Sequence, residues 1–486
     1  MVAIKSPSGI TKGLKSMRVC IATDTFAPDH NGTATFTTNL AVAMQKSGFE
    51  IHVIAPANSK LYGSFKEMHQ GIPLIVHRLR SHRLPFQPNQ RFVFPWTLAK
   101  SIRNLLSIIK PEVVHIQSHL NIGHHAAVSS TNLNIRLIAT NHIDEENFIE
   151  NTILAPRFIK RLLARLLRND ARNILNRAEV VTATSNFAAQ KVERSTGLTK
   201  VYPISSGVDT KLFAQLAKPS LGFNNLVYIG RLDHEKRVYV LIEAMSKLNP
   251  NLPVQLRIIG DGSQASELAK LVEDLDVQSK VHLLGNVSDQ DILMELATST
   301  AFVMPSTQEL QSMATLEALA SGRPVLAANA GVLPEIVQNG VNGFLFEPNS
   351  PSDLAKKIED LFGQRTPDLA ILSAAALKSA KKFNIGNTVK QFASVYRGEV
   401  PDLLKVEETD LSKNDRSLNN IDLLERSFVS LKRGASGVLQ RFDVATGNVI
   451  ESFSDATFTL VTRGRKARKR ISRALRSALE QMRKDE

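Results

Sequence analysis

Short apolar runs alternate with polar or amphipathic stretches along most of the chain, and they form two successive series. The first series comprises RVCIAT, IHVIAP, VVHIQS, RLIATN, EVVTAT and VYPISS. The second begins after Ser206 and comprises NLVYIG, QLRIIG, KVHLLG, AFVMPS and RPVLAA. Runs of this length that alternate with helical stretches are typical of parallel sheets. The pattern therefore predicts an α/β protein with two doubly wound, Rossmann-like domains in tandem. Ligands of such sheets bind beyond the carboxyl ends of the strands, so we expect a site in the cleft between the domains.

Changes in composition divide the chain into six segments. Residues 353–397 are predicted to form two or three helices that close the second domain, and the polar stretch that starts near Gly398 is typical of a linker. The predicted segments are a polar leader (1–16), a first α/β domain (17–205), a second α/β domain (206–382), a closing helix (383–399), a linker that could form a hairpin around Ala445 to Asn448 (400–462), and a basic helical tail (463–486).

Composition narrows the class of protein. At 486 residues and 43% hydrophobic content, the chain can bury two cores of ordinary size. No apolar run approaches the roughly 20 residues of a membrane helix, and the leader lacks the apolar centre of a signal peptide. We therefore expect a cytosolic protein. The only cysteine, Cys20, lies in an apolar run, so neither a disulfide nor a cysteine metal site is expected.

The strongest chemical signal lies in the stretch TQELQSMATLEALASG, from Thr307 to Gly322. Good helix formers followed by Gly322 and Pro324 predict a helix from about Gln311 to Ser321. Glu309 precedes this helix, whereas Glu317 lies inside it, on a surface that should be buried. Because a buried carboxylate is costly without a partner, Glu317 is expected to have a functional reason for its position.

Several residues near strand ends could also bind a ligand. Gly32 lies among threonines before a predicted helix, whose amides could face an anion, although the spaced glycines of a dinucleotide fingerprint are missing. His115 falls inside a strand and is expected to be a packed core histidine, whereas His119 follows the strand and should line the cleft. A zinc site is not expected here, since no carboxylate completes a ligand set. The acidic pair Asp274 and Asp276 is interpreted as a solvated helix end.

The second domain opens with NLVYIGRLDHEKRVYVLIEAM. Arg231 and Lys236 follow the first strand of this domain and precede a helix. Two cations beside a helix N-terminus can bind a diphosphate without a metal ion, although a solvated basic turn would have the same pattern.

Five motifs of the chain, which occur in the order typical of the family, resemble glycosyltransferase family 4. Members of this family are retaining enzymes with the two-domain GT-B fold. The resemblance covers roughly Met17 to Lys382, and it rests on GRLDHEK, IIGDGSQ, the two glutamates of TQELQSMATLEALASG, SGVDTKLF and PEIVQNGVNGFLF. It implies that the first domain binds the acceptor and that the second binds a nucleotide sugar.

The resemblance also implies roles for individual residues. Arg231 and Lys236 would neutralise the diphosphate leaving group, so that no metal or other cofactor is required. Glu317 would accept the ribose hydroxyls, and Glu309 would contact the donor sugar near the reacting carbon. The helix N-terminus would direct its amides at the phosphates, and Gly32 would let the backbone of the first domain approach the same group. His119 would lie at the polar edge of the donor sugar. The residues of the helix N-terminus are Leu310, Gln311, Ser312 and Met313.

The chain departs from the common family pattern directly after Glu309. Many members have glycine-phenylalanine-glycine there, whereas this chain has Leu310, Gln311 and Ser312, which puts in doubt an equally close approach of the amides to the phosphates. The segments ELQSMATLEALASGRPV, ATNHIDEEN and VVHIQSH look most like a branch that includes GDP-mannose-dependent α-mannosyltransferases acting on glycolipids. GDP-mannose is therefore the expected donor. A UDP-glucose-dependent enzyme acting on diacylglycerol or a soluble polyol is the alternative.

The net charge of +14 predicts an anionic partner, and half of this excess lies in the last 24 residues. The stretch from Arg157 to Arg177 places six apolar residues on one helical face. It predicts either a helix packed on its own sheet or a helix in contact with anionic lipid. The tail has only a thin apolar stripe, at Ile471, Leu475 and Leu479, which favours a membrane surface. The apolar residues of the earlier helix are Phe158, Ile159, Leu162, Leu163, Leu166 and Leu167.

These features predict an enzyme on the cytoplasmic face of the cell membrane with a lipid or lipid-linked acceptor. A nucleic-acid partner is not expected, because few aromatics accompany the cations and no recognised nucleic-acid motif is present. A catalytically inactive scaffold that binds membrane or RNA is a further alternative. The joint presence of Arg231, Lys236, Glu309 and Glu317 counts against it, since a scaffold needs none of them.

Overall fold

The computed structural model describes residues 16–29, 31–84, 87–144, 149, 157–216, 224–363 and 369–399. The predicted leader (all but Ser16), linker, hairpin near Ala445 and basic tail lie outside these residues, as do the side chains of Phe158 and Ile159.

The first domain is built on an eight-stranded sheet with the order β10-β9-β8-β7-β1-β2-β4-β3. All neighbouring strands are parallel except β3, which pairs antiparallel with β4 at the edge. A separate two-stranded sheet pairs β5 with β6. The strands are β1 (Arg18–Ala22), β2 (Glu50–Pro56), β3 (Gly63–His69), β4 (Ile72–Leu79), β5 (His82–Leu84), β6 (Gln87–Phe92), β7 (Val113–Ile116), β8 (Arg136–Asn141), β9 (Val180–Ala183) and β10 (Tyr202–Pro203).

The helices of this domain connect the parallel strands. They are α1 (Gly32–Lys46), α2 (Pro95–Ile109), α3 (Asn121–Asn132), α4 (Arg157–Leu175) and α5 (Asn186–Thr196). Side-chain caps define where some of them begin: Asn31 accepts a hydrogen bond from the backbone N–H of Ala34 at α1, and Ser185 accepts one from Ala188 at α5. The helix starts therefore lie at the carboxyl edge of the sheet, where the sequence pattern predicts ligand binding.

The second domain is a six-stranded parallel sheet with the order β13-β12-β11-β14-β15-β16. Its strands are β11 (Asn225–Ile229), β12 (Gln255–Ile259), β13 (Val281–Gly285), β14 (Ala301–Met304), β15 (Val325–Ala328) and β16 (Gly343–Phe346). The helices after β10 are α6 (Thr210–Ala214), α7 (Tyr239–Lys247), α8 (Ala265–Asp274), α9 (Asp289–Thr298), α10 (Met313–Ala320), α11 (Leu333–Ile336), α12 (Pro351–Phe362), α13 (Leu369–Ala380) and α14 (Ile385–Arg397), with short 3-10 turns at His234–Lys236 and Lys381–Phe383. The predicted fold class, two doubly wound α/β domains, is confirmed.

The last described helix corrects one prediction. The segment up to Arg397 was expected to close the second domain, but α14 returns to the first domain. Phe392 and Tyr396 are fully buried there, and the Tyr396 hydroxyl lies 2.8 Å from Nδ1 of His115. The other ring nitrogen of His115 lies 2.7 Å from the Thr140 hydroxyl, which confirms that His115 is a packed core histidine. The chain therefore crosses between the domains twice.

The helix α4 was predicted either to pack on its own sheet or to contact anionic lipid, and it packs on the domain only in part. Its second half is buried through Ala171, Ile174 and Leu175, but Leu162 in the first half is 50% exposed. The neighbouring Leu163, Leu166 and Leu167 are only half-buried. The apolar stripe is therefore not fully covered by the domain's own residues. No helix among the described residues combines the length and the apolar character that a membrane crossing needs.

Candidate active site

In the first domain, the start of α1 presents open backbone. Asn31 caps the helix, and its side-chain nitrogen donates to the Thr25 hydroxyl at 2.8 Å. Gly32 is the first helical residue, and a Cβ atom added to it would meet no atom within 4 Å. The protein itself therefore does not require glycine at position 32, whereas a ligand that approaches this backbone closely would.

Two side chains beyond the end of β7 are buried with unpaired polar atoms. Neither ring nitrogen of His119 has a partner with good hydrogen-bond geometry among the described residues, although the Asn141 side chain interacts with the ring, and the residue is fully buried. Burial lowers the pKa of His119 to about 4, against weaker opposing effects of Asp170 and Asn141, so the ring is neutral at neutral pH. The side-chain nitrogen of Gln117 is likewise unpaired. Such atoms cost free energy in the free protein, which is typical of a position where a ligand supplies the partner.

Gln117 was not among the candidate residues from the sequence. Its orientation is set by His142, whose Nε2 lies 3.0 Å from the Gln117 Oε1 atom. Burial lowers the pKa of His142 to about 3, so a neutral ring donates this hydrogen bond and leaves the Gln117 amide nitrogen free to donate elsewhere. The sequence feature that could have identified Gln117 is its position directly after the strand, in the same segment that made His119 a candidate.

A half-buried carboxylate holds this loop in place. Asp24, which follows β1, accepts hydrogen bonds from the Ser118 hydroxyl at 2.5 Å and from the backbone N–H of Ile122 at 2.8 Å. Burial raises the pKa of Asp24, although these hydrogen bonds act against the shift. Asp24 therefore connects the end of β1 to the loop that carries Gln117 and His119.

In the second domain, two of the predicted residues form an ion pair. The Lys236 ammonium lies 2.5 Å from the Glu309 carboxylate, and Glu309 is only 8% exposed. Burial alone would raise the pKa of Glu309, but the Lys236 charge and hydrogen bonds from Lys236 and Ser306 outweigh it and lower the pKa. The carboxylate is therefore ionised and fixed beside a cation at the end of the sheet.

Arg231 lies nearby but has other partners. Its guanidinium bonds Asp233 and Glu235, each at 2.5 Å, and its side chain is 53% exposed. Its charge still contributes to the lowered pKa of Glu309. To bind a diphosphate, Arg231 has to exchange at least one of these carboxylates, whose side chains are only 25% and 15% exposed.

Glu317 lies inside α10, as the sequence predicted, but it is half-buried and Glu309 is the more deeply buried of the two. Its carboxylate has no hydrogen-bond partner within the described part of the chain. Desolvation, together with the negative charge of Asp289, raises the pKa of Glu317 to about 7. A carboxylate in this state is suited to a neutral ligand that donates hydrogen bonds, such as a pair of hydroxyl groups.

The residues between the two glutamates lie at the boundary between the domains. The Leu310 carbonyl accepts hydrogen bonds from the Ser185 and Thr184 hydroxyls of the first domain, at 2.7 and 3.1 Å. Ser312 has a left-handed backbone with φ of 59°, and α10 begins at the next residue, Met313. Glu335 adds a second contact by accepting from the backbone N–H groups of Asn186 and Phe187, at 3.2 and 2.6 Å.

The described residues contain no group of three or more His, Cys, Asp or Glu side chains that could hold a metal ion. Asp274 and Asp276 lie exposed at the end of α8, which confirms their interpretation as a solvated helix end. The structure thus groups Lys236, Glu309 and the loop that follows. Among the described residues no hydrogen bond joins Gly32 or His119 directly to the second domain.

Two family models match the chain without a gap between them. The model described as Glycosyltransferase Family 4 matches residues 30–212, and the model described as Glycosyl transferases group 1 matches residues 211–383. The chain is a GT4-type glycosyltransferase. The two matches cover most of the two α/β domains, and Gly32, His119, Lys236, Glu309 and Glu317 lie within the matched residues, whereas Asp24 precedes them.

Individual relatives of this glycosyltransferase differ in the sugars and acceptors that their names state. A GDP-mannose-dependent alpha-mannosyltransferase of Corynebacterium glutamicum is 26% identical over 343 residues, which cover 69% of this chain and 78% of that protein. An alpha-monoglucosyldiacylglycerol synthase of Acholeplasma laidlawii is 23% identical over 352 residues, which cover 68% of this chain and 85% of that protein.

Solved structures confirm the fold. The crystal structure of Anabaena Alr3699/HepE in complex with UDP-glucose superposes with a TM-score of 0.58 at 20% identity, covering 79% of this chain and all of that one. The glycosyltransferase thus has the GT-B fold that the resemblance implied.

Proposed function

We propose that this glycosyltransferase moves mannose from GDP-mannose onto a lipid or lipid-linked acceptor, with retention of the α configuration. The observations that carry the proposal are the Lys236–Glu309 pair and, eight residues after Glu309, the unpaired carboxylate of Glu317. A cation for the diphosphate and an acceptor for ribose hydroxyls are what a nucleotide-sugar donor needs. The name of the Corynebacterium relative supports mannose as the sugar.

The proposed reaction makes use of the charges at the end of the second sheet. The bond between the anomeric carbon and the diphosphate oxygen breaks, and Lys236 and Arg231 stabilise the charge that develops on the leaving group. The acceptor hydroxyl forms the new bond on the same face, and its proton passes to the departing diphosphate. Because two side-chain cations perform this stabilisation, we propose that the reaction needs no divalent metal ion.

A second donor and acceptor pair has support of its own. The Acholeplasma relative is named for a glucosyldiacylglycerol product, and the Anabaena structure contains UDP-glucose. Transfer of glucose from UDP-glucose to diacylglycerol is therefore the second candidate, and it would use the same cations and carboxylates.

The surface of the first domain supports a lipid acceptor in either case. Leu61 and Tyr62, in the loop that follows the carboxyl end of β2, are 72% and 58% exposed. The Arg80 guanidinium lies 5.9 Å from the Tyr62 ring centre, and the exposed Lys60 and Lys66 flank the loop. Apolar side chains interleaved with cations are typical of a surface that binds anionic lipid. We propose that this face rests on the cytoplasmic side of the cell membrane.

A donor panel tests the proposed function. Thermal-shift titration with GDP, UDP and ADP, followed by product analysis with the matching sugar donors, should show stabilisation by GDP and mannosyl transfer to a lipid acceptor. Transfer should persist after chelation of divalent cations. Selective stabilisation by UDP with glucosyl products would select the second candidate, and transfer that is lost on chelation and restored by magnesium or manganese would contradict the role of the cations.

Lys236 offers the sharper test of the site. Lys236→Ala should lower kcat by at least 10²-fold, because developing charge on the diphosphate loses its nearest cation. Lys236→Arg should restore part of the rate, while Lys247→Ala, an exposed change at the end of α7, should leave it unchanged. Equal rates for Lys236→Ala and the parent would show that the diphosphate binds elsewhere.

A further inference from the structure

The loop from Glu309 to Ser312, here called the donor loop, is bonded to both domains. On one side, Glu309 pairs with Lys236 of the second domain. On the other side, the Leu310 carbonyl accepts hydrogen bonds from Thr184 and Ser185, and the Leu310 side chain packs against the core of the first domain. The loop that is expected to contact the donor sugar is therefore not positioned by its own domain alone.

Gln311 makes the densest set of these contacts. Its Oε1 atom accepts hydrogen bonds from the backbone N–H and the hydroxyl of Ser206, at 2.9 and 2.8 Å. Its Nε2 atom donates to the Ser205 hydroxyl at 2.7 Å. Gln311 and Ser206 are 8% and 3% exposed, so water does not compete for these groups. Loss of the Gln311 amide would leave a buried N–H group and a hydroxyl without their partner.

Ser205 and Ser206 lie where the chain passes from the first sheet to the second. The return crossing packs against the same segment: the Thr388 hydroxyl donates to the Ser205 carbonyl at 2.8 Å, and the Ile385 N–H donates to the Val208 carbonyl at 3.0 Å. Gly207 lies between them with φ of +74°, and a Cβ atom there would come within 2.7 Å of the Ile385 Cα. Both connections between the domains therefore meet at this point, and rotation of one domain against the other must change the backbone here.

We propose that Gln311 is a positioning residue that couples this hinge to the donor loop. When Ser205 and Ser206 move, the Gln311 carboxamide moves with them. The rest of the donor loop, including Glu309, then changes its position relative to Lys236. The inference rests on the proposed function, because it assumes that the donor loop contacts a nucleotide sugar. The proposal also explains the departure from glycine-phenylalanine-glycine in physical terms. Neither glycine nor phenylalanine has a side-chain carboxamide that could form these hydrogen bonds.

The substitution Gln311→Met tests the proposal, since it keeps the length and volume of the side chain and removes its hydrogen bonds. We expect kcat for sugar transfer to fall at least tenfold, while the Kd values for GDP and UDP stay within twofold of the parent. A defect in folding alone would lower the active fraction and leave kcat per folded molecule unchanged. The matched control is Gln308→Met, the same change in an exposed residue three positions earlier, and it should leave both quantities unchanged.

Hydrogen exchange tests the coupling without turnover. In Gln311→Met, the amides of residues 205–208 and 309–313 should both exchange at least tenfold faster than in the parent, and Gln308→Met should alter neither segment. Adding Ser206→Ala to Gln311→Met should produce little further change in kcat, because both changes break the same contact. Unchanged kcat, faster exchange confined to the donor loop, or additive effects in the double variant would overturn the proposal. If the parent transferred no sugar, the exchange result would still decide the coupling, separately from the proposed function.

Discussion

Glu309 and Glu317 carry the same side chain eight residues apart, but their surroundings shift their pKa values in opposite directions. Glu309 is the more buried residue, yet Lys236 keeps it ionised. Glu317 has no cation beside it, and desolvation together with Asp289 raises its pKa to about 7. The first carboxylate is thus stabilised by the protein, whereas the second depends on a ligand for its hydrogen bonds.

This difference leads to a prediction for Glu317→Gln. A carboxyl group whose pKa rises from an ordinary value of 4.5 to about 7 on folding costs stability as the pH rises through this window, because the folded protein then holds a poorly solvated charge. The variant should therefore be more stable than the parent above pH 7, by about 1–3 kcal/mol, and the difference should vanish near pH 4. Thermal unfolding across this pH range measures it.

Nucleotide binding should change in the opposite direction. Glu317→Gln exchanges a charged hydrogen-bond acceptor for a neutral one. We expect the Kd for the nucleotide to rise about tenfold or more. In the parent, affinity should fall as the pH falls below 7, since protonation of Glu317 has the same effect. The control Glu273→Gln, an exposed change in α8, should alter neither property. A variant with parental affinity would exclude Glu317 from the ribose site.

The sequence identified the residue types at the site, but it could not supply their partners. The motifs named Lys236, Glu309 and Glu317 as donor-binding candidates, but nothing in the sequence predicted that Lys236 pairs with Glu309. Gln117 was overlooked because an uncharged amide after a strand is unremarkable in sequence. Its significance depends on His142, which lies 25 positions away and fixes the orientation of the amide. Contacts of this kind come from the folded chain and not from local spacing.

At the scale of elements, the donor loop shows how a departure from the family pattern is accommodated. Ser312 has φ of 59° and ψ of 75°, in the left-handed region that glycine adopts without strain. A side chain in this region costs about 1–2 kcal/mol. The Ser312 hydroxyl offsets part of this cost through a contact of 2.7 Å with the Thr315 hydroxyl.

A pair of substitutions isolates this strain. Ser312→Ala and Ser312→Gly both remove the hydroxyl, but only the glycine removes the Cβ atom, so the glycine variant should be the more stable by about 1 kcal/mol. At Ser246, an exposed position in the last turn of α7, the same pair should have the reverse order, because glycine weakens an ordinary helix. Urea unfolding of the four variants measures both differences. The same order at both positions would contradict a strained backbone at Ser312.

Element boundaries and element packing differ in how far the sequence predicts them. Eleven parallel strands and the helix around Glu317 were predicted because each has its own periodicity and its own stop signals. The strands β3 to β6 and β16 were not predicted. The placement of α14 was wrong, since its apolar face shows that the helix packs but not against which domain. The packing of Phe392 and Tyr396 against first-domain residues such as His115 decides this, and His115 lies 281 positions from Tyr396.

At the scale of the whole molecule, the first domain presents an uneven surface. Met68 and Ile75 lie on one face of the antiparallel pair formed by the edge strand β3 and β4 and are 64% and 38% exposed, and Phe65, on the other face of β3, is 38% exposed. The acidic residue of this region, Glu67, is already paired with Arg78 at 2.7 Å. Lys60, Lys66 and Arg80 therefore leave the surface positively charged. A second copy of the same surface would be repelled, whereas an anionic lipid surface complements it.

The last prediction follows from this surface. The double variant Leu61→Ser and Tyr62→Ser should bind vesicles containing anionic lipid at least tenfold more weakly than the parent, because burial of each large apolar side chain contributes about 1.5–3 kcal/mol. Cosedimentation measures the binding. The control Ile371→Ser removes a side chain of similar exposure, 64%, from the second domain and should have no effect.

The dependence of binding on ionic strength, and transfer to a soluble acceptor, test whether the surface around Leu61 and Tyr62 binds anionic lipid. Binding of the parent should weaken as the ionic strength rises, since exposed cations are screened, and it should be weaker on neutral vesicles. The double variant should still transfer sugar to a short-chain acceptor in free solution, because the change lies outside the donor site. Parental binding by the double variant would exclude this surface as the membrane contact. A gel shift with RNA that responds to the same substitutions would assign the surface to nucleic acid instead.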